Sequence, residues 1–268
     1  MKKIALLISS ALLFVSILVS GQSSRELRKI LELKIPREGG ANAASVAWHP
    51  VQKKYYAAMA GNVSFCMGVF DISGKLLSAP ELSTLFDVRG LWYNPATGTL
   101  QMNGYNDFGW GEYILNAKGF PSDVTTLFSG LNQPDEQSVG AFDPKEKSVY
   151  FFNEDGNIEK YDLKTGQYLE QIELHLGQTE EDVDFDNYDV FGDYNSTTIV
   201  FTGIPGAEIG VLNYTAKEIE LYSSETGYKT RTFSLPGDAP AYQFLNFSYC
   251  NGIYWFFDKD TRIWKGYK

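Results

Sequence analysis

From residue 30 onward the chain alternates short apolar runs with polar turns. Val, Ile, Tyr, Phe and Thr fill the runs, and Gly, Asn, Asp and Pro separate them. No stretch sustains the 3.6-residue apolar period of an amphipathic helix. Short β-branched and aromatic runs bounded by turn residues predict an all-β chain. The stretch SVGAFDPKEKSVYFFNEDGNIEKYDLKTG (138–166) shows the unit. A first run ends at Asp143-Pro144, strands follow over Ser148–Phe152 and Ile158–Leu163, and a Lys-Thr-Gly corner closes it. Such a meander cannot bury both faces alone, so the rest of the chain must supply its neighbours.

Its first hairpin has relatives at SVAWHPVQKKYYAA (45–58), GLWYNPATGTLQM (90–102), DVFGDYNSTTIVF (189–201) and FLNFSYCNGIYWFF (244–257). The aligned anchors Pro50, Pro95, Pro144, Tyr194 and Tyr249 stand 45, 49, 50 and 55 residues apart. Third strands with a Gly corner follow at VFDISG (69–74), ILNAKG (114–119), YDLKTG (161–166) and LYSSETG (221–227). Fourth strands follow at TTLF (125–128), LEQIEL (169–174) and KTRTFSL (229–235). The fifth unit stops after its third strand, while ILELKIPREGG (30–40) resembles YLEQIELHLGQ (168–178) and precedes the first unit. A repeated unit that cannot bury its faces alone, plus an N-terminal strand to complete the last one, predicts a five-bladed β-propeller. The blades span about 39–82, 83–131, 132–177, 178–237, and 238–268 with 28–37. About eleven extra residues around Gly206–Lys217 lengthen blade four and leave a sixth blade as the alternative.

Lys2 and Lys3, the apolar run Ile4 to Val19, and the small residues Ser20 and Gly21 form the pattern of a signal peptide over 1–21. That leaves one domain over 22–268, exported to the periplasm or outside the cell, with no later segment apolar enough to span a membrane. Without Lys2 and Lys3 the chain carries 21 basic and 33 acidic residues. An acidic surface disfavours nucleic acid and favours a soluble monomer. Cys66 and Cys250 fall at opposite ends of their blades, which predicts two thiols and no disulfide.

The register also places polar residues together. Eight positions before the anchors stand Asn42, Asp87, Glu136, Asp186 and Ala241; two positions later stand Ala44, Arg89, Ser138, Tyr188 and Gln243. In a propeller these lie where each inner strand begins, on the rim of the tunnel. Three carboxylates and an amide there need a cation, a proton or Arg89 to offset their repulsion. Oxygen donors suit Ca2+ or another divalent cation, through Asn42, Asp87, Glu136 and Asp186. Asp87, Glu136 and Asp186 could instead act as acid and base, and a solvated polar rim needs neither. Tyr105, Phe108 and Trp110 in NGYNDFGWGEY (103–113) lie on a loop of the same face. With Arg89, Tyr188 and Gln243 they are candidates to hold a small ligand, a glycan or a protein partner. Asp182, Asp184 and Asp186 alternate as in a Ca2+ loop, without its Gly and Glu. His49 and His175 sit in no metal or triad motif.

The Asp/Asn–Pro hairpin followed by Asp-x-x-x-Gly resembles bacterial β-propellers with NHL-like, YncE-like or gluconolactonase-like repeats. The resemblance implies the propeller architecture over nearly all of the mature chain. For the lactonases it implies a divalent metal on Asn42, Glu136 and either Asp87 or Asp186. Five-bladed glycosidases place two Asp and one Glu on different blades, which Asp87, Glu136 and Asp186 could mimic. The leading expectation is an exported binding module. The alternative is a metal-dependent hydrolase or lactonase, or a glycan-active enzyme.

Overall fold

The computed structural model describes residues 25–182 and 191–268. Among them the strands form five sheets, the five blades of a β-propeller. The first two strands, β1 (Arg25–Glu26) and β2 (Lys29–Lys34), join the last two blades. Blade one holds β3 (Ala43–His49), β4 (Lys54–Met59) and β5 (Met67–Asp71). Blade two holds β6 (Val88–Asn94), β7 (Thr99–Gly104), β8 (Trp110–Leu115) and β9 (Pro121–Phe128). Blade three holds β10 (Ala141–Asp143), β11 (Ser148–Phe152), β12 (Ile158–Asp162) and β13 (Tyr168–Ile172). Blade four holds β14 (Tyr194–Phe201), β15 (Ile209–Asn213), β16 (Glu218–Tyr222) and β17 (Lys229–Ser234). Blade five holds β18 (Phe247–Cys250), β19 (Ile253–Asp258) and β20 (Ile263–Tyr267), with β2 as its outer strand. Strands are lettered A to D from the axis outward.

Burial explains the apolar runs. Inner strands have blades on both sides, so β4 and β11 are buried at almost every position. A strand covered on both faces reads as continuous apolar sequence. The outer strand β13 is mostly exposed. Five hydrophobic clusters fill the five seams between blades. The smallest, between blades two and three, is built from Trp92, Trp110, Val149, Phe151 and Tyr161.

The ring closes as the sequence predicts, with Leu33 of β2 opposite Trp264 of β20. One further device is new: β1 adds in parallel to the outer edge of β17, so the same segment clamps blades four and five. Blade one has three regular strands. Its outer edge is met by an irregular segment, where Leu77 N donates to Val69 O and Met67 N to Leu82 O.

Two parts of the predicted register change. Residues 189–201 were expected to hold two strands around Tyr194, but β14 runs unbroken from Tyr194 to Phe201 and pairs with β15. The segment 206–217, read as an insertion, supplies that ordinary second strand, so the ring has five blades and no sixth. In blade five Tyr249 pairs with Tyr254 inside the sheet instead of standing in the turn. A two-residue turn at Asn251-Gly252, both at positive φ, replaces the four-residue turn of blade one and shifts the register by two.

Near the starts of the A strands the blades are drawn together. Gly90 and Gly140 face each other so closely that a Cβ on Gly90 would stand 2.6 Å from Gly140 N. Asn103 fills the notch: its Oδ1 accepts from both glycine amides at 2.9 Å, and its Nδ2 donates to Gln133 Oε1 and Ser138 O. Asn195 joins blades four and five through Tyr242 O and Leu245 O. Asn246 joins blades five and one through Ala43 N and Asn42 Oδ1. Val139 and Thr198 bridge blades three and four.

Candidate functional site

The D–A connections and B–C turns share one face, and the predicted rim residues divide there. Asp87 and Arg89 flank the first turn of β6. Asp87 Oδ1 accepts from Arg89 Nη1 at 2.7 Å and from Gly61 N at 2.9 Å. Arg89 also gives Nε to Gln137 Oε1 at 2.8 Å, and its guanidinium lies 4.7 Å over the Tyr105 ring. The Tyr105 hydroxyl bonds the Glu136 carboxylate, which pushes the phenol above its usual range. Asp87, Arg89, Tyr105 and Glu136 thus come together as the register predicts. They form a closed network in which the carboxylate of Asp87 already has its cation.

The other candidates lie apart. Asn42 Oδ1 takes Asn246 Nδ2 at the blade five–one seam. Gln243 is exposed, and its backbone carbonyl accepts Ser196 N. The two-residue shift in blade five sets Gln243, rather than Ala241, level with Asn42. Asp184, Asp186 and Tyr188 lie outside the described residues. Phe108 is 41% exposed, edge-on to Phe86. Trp110 is corrected: the loop ends at Gly109, and Trp110 begins β8, fully buried against Trp92, Phe128 and Phe151. Its ring is spent on the seam and offers no face to a ligand. Among the described residues no group of three His, Cys, Asp or Glu could hold a metal. Among the described members of the oxygen set, Asp87 is paired with Arg89, and the Asn42 Oδ1 accepts from Asn246. Both cysteines are free, Cys66 buried and Cys250 half-buried.

The cavity is at the other end. A space of about 320 Å3 lies on the axis. Its lining runs from the A–B turns at Pro50, Pro144, Gly203 and Asn251 inward to Ser45, Leu91, Val139, Thr198 and Ser248, and includes no charged side chain. Each blade contributes one half-buried aromatic residue to it: Trp48, Tyr93, Phe142, Phe201 and Tyr249. All five stand beside the A–B turn, and four pair with the B strand in matching register, Trp48 with Tyr55, Tyr93 with Leu100, Phe142 with Val149 and Tyr249 with Tyr254. Every ring is backed by another. Trp48 lies 4.5 Å from Tyr55, Tyr93 4.7 Å from His49, and Tyr249 4.7 Å from Tyr254. Phe142 stacks on Trp92 at 6.2 Å and Phe201 on Tyr150 at 5.8 Å. Burial lowers the pKa of His49, which favours a neutral imidazole behind Tyr93. Rings held from behind are preorganised to line a site.

This ring was half visible in sequence. Trp48, Tyr93 and Phe142 all stand two residues before an anchor proline. Phe201 and Tyr249 escaped because turn lengths differ in blades four and five.

No protein-family profile matches the sequence, and no curated protein matches it. Among solved structures the chain is similar to a glutaminyl cyclase of Myxococcus xanthus, with a TM-score of 0.55 at 9% identity over 91% of this chain and 97% of that one. It is also similar to a gluconolactonase of Xanthomonas campestris, with a TM-score of 0.49 at 10% identity over 92% of this chain and 96% of that one. At such identities the first likeness is one of fold alone. The second is too distant to support an argument.

Proposed function

We propose that this protein is an exported, non-enzymatic binding module whose ligand enters the central cavity from the A–B face. The observation that supports it is the ring of five backed aromatic residues around a concave, charge-free space. Concave, mostly apolar sites with few polar groups are where small ligands bind. The D–A cluster, where the sequence put the rim site, has its donors and acceptors matched within the protein. The enzymatic alternative is weaker: Asp87, the described carboxylate it pairs with Glu136, is committed to Arg89. Export rests on the pattern of residues 1–21, outside the described residues. Cell fractionation with and without that segment tests it.

A thermal-shift screen of small molecules tests the site. Hits lost in Trp48→Ala and Phe201→Ala but kept in Tyr105→Ala support the cavity. Hits that vanish only in Tyr105→Ala would return the site to the D–A face. Turnover of lactones or aryl glycosides, abolished in Glu136→Gln, would promote the enzymatic alternative.

A further inference from the structure

Resting on the cavity reading above, we infer that the cavity selects an uncharged, largely apolar planar group, such as a neutral fused-ring compound, and rejects anions, cations and sugars. No lining residue carries a charge. An anion entering it would lose its hydration with no partner in exchange, and a cation would exchange its hydration for ring faces alone. The serine and threonine hydroxyls and the Asn251 amide nitrogen of the wall are already committed, which leaves the hydroxyls of Tyr93 and Tyr249 as its open polar groups. Ser248 Oγ bonds Ser45 Oγ at 3.0 Å and both the N and O of Val46 at 3.1 Å. Thr202 Oγ1 donates to Ala207 O, and Asn251 Nδ2 donates to the Tyr55 hydroxyl, each at 2.7 Å. Thr198 Oγ1 pairs with Thr197 Oγ1. A sugar would bury many hydroxyls against a wall with few open partners, and each buried hydroxyl without a hydrogen bond is unfavourable.

What the wall does offer is aromatic surface. The volume, about 320 Å3, lies at the small end of the ~300–1,000 Å3 range of ligand pockets and suits a compact ring system.

The experiment uses the purified full-length chain and four probes: quinoline, 2-naphthoate, phenyltrimethylammonium and methyl β-glucoside. Calorimetry and tryptophan fluorescence report binding. Quinoline binds at least about tenfold more tightly than each of the others, because only it enters without an uncompensated charge or a set of stranded hydroxyls. Trp48→Leu and Phe201→Leu, made separately and checked by circular dichroism, each weaken quinoline severalfold. Tyr105→Ala, on the opposite face, leaves it unchanged. If the cation, the anion or the glucoside binds as well as quinoline and is weakened by the same two variants, the ligand class is wrong and the cavity reading stands. If no probe binds, or binding ignores both substitutions, the ligand class and the cavity reading fall together.

Discussion

The two ends of the tunnel are made by the same five strands and have opposite character. At the D–A end the blades press together, glycines remove side chains, and Asn103, Asn195 and Asn246 take up backbone groups across three seams. At the A–B end the strands meet a cavity, and the residues facing it are aromatic and backed by further rings. Hydrogen bonds close one end because buried polar groups must be paired. Backed rings hold the other end open: Trp48, Tyr93, Phe201 and Tyr249 each rest on a ring outside the lining, and Phe142 on Trp92 within it. The rim chosen from sequence, where charges converge, is therefore the seal. The neutral end is the candidate for binding.

The seal is the easier end to break. Asn103→Ala strands the amides of Gly90 and Gly140 and two acceptors, and is expected to cost on the order of 3–5 kcal/mol in urea unfolding. Arg89→Met leaves Asp87 nearly buried without its cation and is expected to cost about 2–4 kcal/mol, with partial recovery in the Asp87→Leu double variant. Recovery would show that the pair serves closure rather than chemistry. Trp48→Leu removes a half-buried ring and is expected to cost only about 1–2 kcal/mol of stability, while weakening cavity ligands severalfold. Equal losses of stability at both ends would erase the distinction.

Acid should separate the ends as well. Burial alone would raise Asp258, but hydrogen bonds from Lys265 and Thr261 outweigh it and hold the carboxyl at about 2. The unfolded chain takes up this proton near the ordinary value of 3.8, so it binds more protons than the native state between there and about 2. This contribution to stability is full above 3.8 and is lost as pH falls through about 2. Lys265→Met is expected to flatten that part of the stability curve measured by urea titration. Ligand binding in the cavity, whose lining has no carboxylate, is expected to stay constant across the same range while the chain remains folded. The smallest effect belongs to Tyr105→Phe, which removes only the hydroxyl bonded to Glu136 and is expected to change stability by less than about 1 kcal/mol.

The anchors Pro50, Pro95 and Pro144 were enough to show repeated blades, because three hairpins share turn length and align without gaps. For the same reason Asp87, Arg89 and Glu136 were correctly grouped. Sequence failed where a turn changed length: Asn251-Gly252 shortens one hairpin and the 203–207 connection lengthens another. Each change moves an aromatic residue out of its apparent column, so only three members of the ring could be counted. Trp110 misled for a different reason. Gly104, Gly109 and Gly111 around it suggested a loop, yet only Gly109 turns the chain, at φ +65°, and Gly111 packs on Met102 and Val124 within β8. The selection of one end over the other was not legible at all, since pairing and cavities belong to the assembled ring.

The clamp formed by β1 and β2 also dictates an order of events. During synthesis β2 leaves the ribosome long before its partner β20, with all five blades' inner strands between them. Until β20 arrives, the edge of β2, with Ile30 already facing solvent in the finished ring, has no strand to join. Long-range pairing of this kind is slow and exposes unpaired edges to other chains. Closure thus waits on the synthesis of all five blades, and the interval before it is when the nascent chain is most open to aggregation.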